Sequence, residues 1–167
     1  MEFYEVVKKR YSVRNYQPRP IEAYKLQRIS MAIQQAPSAR NNQQCKFYFV
    51  SDIVMKQKLQ VAAKNQPFVS QAGIVVVGVG TNPEHIMSCG HAAYCIDAAI
   101  ALEHVALAAV AEGLGTCWIG AFYRDQVVDI LGLPVNEIPV EMMTLGYPAD
   151  SWQEKPRKAI QELVFPI

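Results

Sequence analysis

Between Ala92 and Glu112 the chain runs without a glycine or a proline, and only Asp97, Glu103, His104 and Glu112 interrupt an otherwise apolar stretch. A helix that is apolar almost all round is a buried helix. At roughly 1.5 Å per residue this one spans about 30 Å, the diameter of a small domain. Its longest uninterrupted apolar run, Val105 to Ala111, is far short of the ~18 residues of a membrane span. The many alanines allow another helix to approach closely. Asp97 and His104, seven residues apart, share a face, so each is expected to satisfy the other or a nearby partner. Gly113 is placed to end the helix as its C′ residue. Thr116 to Ile119, β-branched and aromatic, then reads as a buried strand or extended loop.

A chain of 167 residues that is 51% hydrophobic with net charge +1 is expected to be one soluble globular domain, 1–167, with a substantial core. The N-terminus opens with Glu2 and Glu5 rather than a basic run followed by an apolar one, so no signal peptide is expected. Four cysteines, Cys45, Cys89, Cys95 and Cys117, in apolar or helical surroundings suit reduced thiols and a cytoplasmic location.

The near-neutral charge hides an asymmetry. The first fifty residues hold nine Lys/Arg against three acids, and residues 51–154 hold four against eleven. Lys155, Arg157 and Lys158 then follow within four positions. Two basic clusters at the ends of one chain repel each other unless an anion lies between them, and a bound phosphate is the economical occupant. Solvated surface charge is the competing reading. A nucleic-acid face is disfavoured, because the basic segments carry no interleaved aromatic platform and the pI is only about 7.7.

Along the chain, Phe3 to Lys9 forms a short amphipathic helix that leads into Arg10-Tyr11-Ser12-Val13-Arg14. An extended backbone points Arg10, Ser12 and Arg14 the same way. Two guanidinium forks and a hydroxyl on one face make a phosphate clamp. Residues 21 or 22 to 35 form a second amphipathic helix with Leu26, Ile29 and Ile33 inward. The loop Ala36-Pro37-Ser38-Ala39-Arg40-Asn41-Asn42-Gln43-Gln44 offers donors and acceptors suited to a planar heterocycle, or else is a polar surface loop. A strand over 47–50, a helix over 52–64, a break at Asn65-Gln66-Pro67, and a buried strand over 73–80 follow. A short helix over 124–131 and a strand over 141–146 complete the pattern, before the second basic cluster and an apolar tail, 163–167.

Four tempting readings fail. Gly78-Val79-Gly80 is followed by Asn82-Pro83, with no third glycine and no helix. Gly113, Gly115 and Gly120 come in the order helix, glycines, strand, the reverse of a dinucleotide fingerprint. Cys89, His91 and Cys95 lack a zinc spacing and a second ligand pair. Cys117 reads as a small core residue rather than a nucleophile.

Taken together, the segments Arg10–Arg14, Ala36–Gln43, Gly113–Gly120, Gly146–Ala149 and Lys155-Pro156-Arg157 resemble the nitroreductase family of flavin enzymes, in its order and spacing, over nearly the whole chain. The resemblance implies an α+β fold: a central, mostly antiparallel sheet flanked by helices, with the long buried helix at a dimer interface. It implies a homodimer with FMN at the subunit interface, NADH or NADPH as electron donor, and a small-molecule acceptor. By the same resemblance Arg10, Tyr11, Ser12 and Arg14 belong to the FMN site, and Lys155 and Arg157 hold the phosphate. Pro37, Ser38, Ala39 and Asn41 come from the other subunit, Asn65 meets the pyrimidine edge, and Trp118, Ile119 and Gly120 approach the ring. The family's amide loop often continues Gln-Pro-Trp, whereas here it is Gln43-Gln44-Cys45. Its frequent Glu-Asn helix pair is Glu103-His104. Only residues 81 to 91 separate the strand from the long helix, a short cover for a substrate pocket. The implied chemistry is ping-pong reduction of nitroaromatics, quinones or similar planar acceptors, with no catalytic acid or base named. The alternatives are a non-catalytic flavin-binding or flavin-sequestering protein, and a phosphate-ligand binding protein without flavin.

Overall fold

In the computed structural model, which describes residues 1–167, four strands form one sheet: β1 Cys45–Val50, β2 Ile74–Gly80, β3 Gly115–Ile119 and β4 Ile138–Gly146. The order is β1-β2-β4-β3, and every pairing is antiparallel. β2 is buried at all seven positions, as its unbroken apolar run requires of a strand covered on both faces.

The period-two alternation of a strand divides the core. Val75, Val77, Val79, Met142, Cys117 and Ile119 face one helical layer, made of α3 (Ile53–Ala62), α4 (Phe68–Gln71) and α6 (Arg124–Leu131), through Leu59, Ala62, Val69 and Val127. Ile74, Val76, Met143 and Leu145 face the other layer, made of α2 (Ala23–Gln34) and α5 (Ala93–Ala111), through Ile29, Leu102, Val105, Ala106 and Ala109. Helix α1 (Phe3–Lys9) buries only Val6.

Helix α5 is the expected long helix, one residue shorter at each end. Its termination follows the sequence: Gly113 takes φ +75°, and the Leu114 N–H closes on the Ala109 carbonyl at 2.8 Å, the six-to-one bond of a Schellman ending. Its burial differs from expectation. One face is fully covered by the sheet and α2, but Ile96, Ala99 and Cys95 are open to solvent and Ile100, Glu103, Leu107 and Val110 only half covered. Ile96 is 38% exposed. The helix is apolar on a face that its own chain does not bury. Asp97 and His104 also find separate partners: Asp97 accepts the Ala39 N–H, and His104 Nδ1 lies 3.0 Å from the Ala32 carbonyl oxygen.

The glycines of β2 admit α5. A Cβ on Gly80 would lie 2.3 Å from the Tyr94 ring, and one on Gly78 3.0 Å from Leu102. Gly78-Val79-Gly80 is therefore a helix-packing surface, which gives a physical reason for glycines outside any nucleotide motif.

Two elements differ from the sequence expectation. Strand β4 starts at Ile138 rather than near Glu141. Pro139, which has no N–H for the ladder, is accommodated by the register shift at Gly78/Val79. The one-turn helix α4 follows directly on Pro67, too short to carry a periodic signal. Elsewhere the boundaries agree within a few residues. Asp52 caps α3 by accepting the Met55 N–H at 2.8 Å.

Candidate functional site

After α1 the chain runs extended along the end of the sheet. Ser12 bridges Thr116, the Val13 N–H donates to the Thr116 carbonyl at 2.9 Å, and Tyr16 bridges Pro148. Val13 is fully buried, and the backbone of Gly115 lies against it so closely that a Cβ there would be 2.4 Å from Val13 Cγ2. Asp150 locks the segment from the far side: it accepts the Tyr11 hydroxyl at 2.9 Å and the Arg14 N–H at 3.3 Å. Burial, together with this acidic partner, pushes the Tyr11 phenol up to about 12. Tyr11 therefore keeps its proton at neutral pH and serves as a tether.

The C-terminal segment returns to the same place. The Trp152 indole N–H donates to the Lys8 carbonyl at 3.2 Å, joining the segment to the last turn of α1. Arg10, Lys155 and Arg157 thereby line one cavity of about 240 Å³, together with Lys8 and Tyr11. Glu154 is the only carboxylate in that lining, and none of these cations forms an ion pair with it or any other acid of the chain. Arg14 and Ser12 sit next to this basin. The buried Cys117 thiol is pushed up by its burial, and the Arg14 charge, the Ser12 hydroxyl, Lys155 and Arg10 all bear on it in the opposite direction. The Arg14 guanidinium lies over the Phe68 ring at 5.9 Å. Phe68 follows the α3–α4 turn, where Lys64 and Asn65 both adopt left-handed backbone, φ 57° and 59°. Unpaired cations converging on a cavity are what an anionic group requires.

A second cavity, about 220 Å³, lies behind the amide loop. Pro37, Ser38, Gln43, Gln44 and Asp97 are among its walls. The loop contains one 3-10 turn, Ala39–Asn41, and three non-glycine residues in the left-handed region: Arg40 at φ 55°, Asn41 at 54° and Gln43 at 52°. Such strain collects at functional loops. The Ser38 hydroxyl accepts the Gln43 N–H at 3.0 Å and closes the turn.

The structure brings Arg10, Tyr11, Lys155 and Arg157 into one cavity, with Ser12 and Arg14 beside it. It places Pro37, Ser38, Ala39 and Asn41 elsewhere. The first cavity lies near the Gly115 end of α5, and the second lies against Asp97 and Ala101. Between Asp97 and Val110 the helix covers about 20 Å at roughly 1.5 Å per residue. Ile119 is buried and Gly120 emerges at the end of β3, where Glu141 Oε1 would be 3.2 Å from an added Cβ. Trp118 packs on the α2/α5 face of the sheet, opposite Cys117, so its side chain does not join the basic basin. Sequence reasoning missed Asp150, and it expected a partner for Asp97 without placing it at the amide loop. An acid that accepts backbone and phenol hydrogens across the fold leaves no local pattern.

Comparison with known proteins gives the class. The profile of the family described as "Putative TM nitroreductase" matches residues 2–165. The chain belongs to the nitroreductase family. It is 30% identical to an FMN reductase [NAD(P)H] of Bacillus subtilis (strain 168), over 87% of this chain and 66% of that protein, so it spans just under two thirds of that relative's length. Among solved structures, a nitroreductase family protein of Clostridium novyi NT superposes with TM-score 0.84 at 36% identity, covering 89% of this chain and 87% of the other. A second, from Clostridium difficile 630, superposes with TM-score 0.88 at 27% identity, covering 99% and 98%.

Proposed function

We propose that this chain is one subunit of a cytoplasmic, homodimeric FMN-dependent oxidoreductase. It takes electrons from NADH or NADPH and passes them to a planar acceptor such as a quinone or nitroaromatic. The observation that carries the reading is the set of unpaired cations, Arg10, Lys155 and Arg157, lining one cavity. Their donor chemistry fits a terminal phosphate. The named activity of the B. subtilis relative supports the cofactor and the nicotinamide donor.

Each part of the chain has a task in this reading. Arg10, Lys155 and Arg157 hold the phosphate, and Arg14 and Ser12 extend the positive basin toward the ring. Asp150, through Tyr11 and the Arg14 N–H, keeps that segment extended. Asn65 serves the pyrimidine edge, and the backbone at Ile119 and Gly120 approaches the ring. Pro37, Ser38, Ala39 and Asn41 serve the partner's cofactor, because their own basin lies at the far end of α5. The uncovered apolar face of α5 forms the core of the dimer. The tail is a second apolar surface that the chain itself leaves open, with Phe165 71% exposed. FMN, when bound, supplies the two-electron exchange. Tyr11 and Cys117 stay protonated at neutral pH, so the basin binds and orients rather than shuttling protons.

The chain carries no dinucleotide fingerprint of its own, so nicotinamide donor and acceptor would share the slot beside the FMN that Arg10, Lys155 and Arg157 would hold, and turnover would be ping-pong. The test is the visible spectrum of the purified protein, then addition of NADH and NADPH, then steady-state rates with a quinone. A yellow protein that releases FMN, bleaches with nicotinamide and gives parallel double-reciprocal lines is expected. FAD, or no flavin after reconstitution, would overturn the cofactor. Bound FMN that neither nicotinamide reduces would instead make the chain a flavin-sequestering protein.

A further inference from the structure

Asp97 is 5% exposed in the middle of the fold. Its Oδ1 accepts the Ala39 N–H at 2.9 Å, and its Oδ2 has no partner. It forms no ion pair with any cation of the chain. A carboxylate buried on a single backbone donor opposes folding. Stability therefore does not explain an acid here, where a small apolar residue would pack among the alanines of α5.

The one bond it makes is well placed. Ala39 opens the 3-10 turn, and the residues just after it, Arg40, Asn41 and Gln43, all sit in the left-handed region. Behind the loop is a cavity rather than packed side chains, and the bonds from the Asn41 N–H to the Ser38 carbonyl and from the Gln43 N–H to the Ser38 hydroxyl close the turn on itself without fixing it to the rest of the fold. The Asp97 bond ties that turn to α5, the helix whose open face meets the partner in the reading above.

We propose that Asp97 is a positioning residue: it holds the Ser38–Asn41 turn in the geometry in which the turn completes the FMN site of the partner subunit. This rests on the shared-site reading. It links dimer formation and cofactor binding through one helix, since the residue that shapes the loop lies next to Ile96 and Ile100 on that helix.

The test uses the full-length dimer. Asp97→Ala removes the acceptor, while Asp97→Asn keeps an oxygen for the Ala39 N–H without the charge. In Asp97→Ala, hydrogen exchange of the Ala39 amide in the FMN-free dimer should accelerate, and FMN affinity should fall roughly ten-fold, the size of one lost hydrogen bond to a charged group. Asp97→Asn should restore affinity to within about three-fold, since an amide oxygen can accept the same bond. Unchanged exchange or unchanged affinity in Asp97→Ala would overturn the proposal. So would an Asn variant as weak as Ala, or an Ala variant that no longer folds or dimerises.

Mixed dimers separate this inference from the reading on which it rests. A dimer of one Asp97→Ala and one Arg157→Ala subunit should retain one native-affinity site, because each loop serves the other subunit's basin. If Asp97→Ala weakens binding but the mixed dimer has no native site, the shared site falls while the loop role of Asp97 stands.

Discussion

Lys25 Nζ donates to the Glu112 carbonyl oxygen at 2.7 Å, so a side chain of α2 closes the C-terminus of α5. The same ammonium donates to the Tyr147 hydroxyl at 2.9 Å, and Tyr147 in turn donates to Glu22. Arg19 lies over the Tyr147 ring at 3.9 Å. A cation at a helix C-terminus is favourable against the macrodipole. This relay pins the end of α5 to the Gly146-Tyr147-Pro148 turn, next to which the basic basin is built.

The relay has a pH signature. The Tyr147 hydroxyl bond, with help from the backbone and Arg19, holds the Glu22 carboxyl down at about 2, against an ordinary 4.5. A depressed folded pKa contributes stability that is present above the unfolded value and is lost as pH falls toward the folded one. Glu22 lies at the surface, where solvent and salt screen its contribution, so at low ionic strength thermal midpoints should decline modestly between about pH 4.5 and pH 2, and Tyr147→Phe should flatten that decline. An identical pH profile in the variant would remove the role assigned to the hydroxyl.

Gly115 is a packing requirement rather than a turn. Its added Cβ would stand 2.4 Å from Val13 Cγ2, and Val13 is fully buried. Overpacking of this kind costs about 1–3 kcal/mol. Gly115→Ala should lower stability by that amount in chemical denaturation. It should also loosen FMN, because displacing Val13 shifts Ser12 and Arg14. The double variant Gly115→Ala with Val13→Ala should recover part of both losses.

Arg10→Ala and Arg157→Ala should each weaken FMN binding by roughly ten-fold or more, since a hydrogen bond to a charged group is worth about 1.5–3 kcal/mol. Riboflavin, which lacks the phosphate, should bind the wild type and both variants alike. Equal FMN affinity across all three proteins would remove the phosphate assignment.

The open face of α5 makes a prediction about assembly. Ile96→Glu or Ile100→Glu places a charge where an apolar partner surface is expected. Light scattering at low micromolar concentration should report a dimer for the wild type and a monomer for either variant, with FMN lost on dissociation. A monomer that still holds FMN would contradict the shared site.

Much of this was legible in the chain alone, because it depends on near-neighbour chemistry. The apolar run Ala92–Glu112, without glycine or proline, marked a long helix packed against the core. Gly113 was marked as its end by what glycine alone tolerates. The alternation Arg10, Ser12, Arg14 and the Lys155–Arg157 pair stood out as two basic clusters, and the fold brings Arg10, Lys155 and Arg157 to one cavity. What only the tertiary structure decided depends on contacts between segments far apart in sequence. Nothing local told that α5 would leave Ile96 and Ile100 uncovered, because the coverage of each helix face is set by where α2 and the sheet end. The glycines of β2 became a groove for Tyr94 and Leu102 only once α5 was laid across them. Asp97 found Ala39 rather than His104, because a carboxylate takes whichever donor the folded backbone presents.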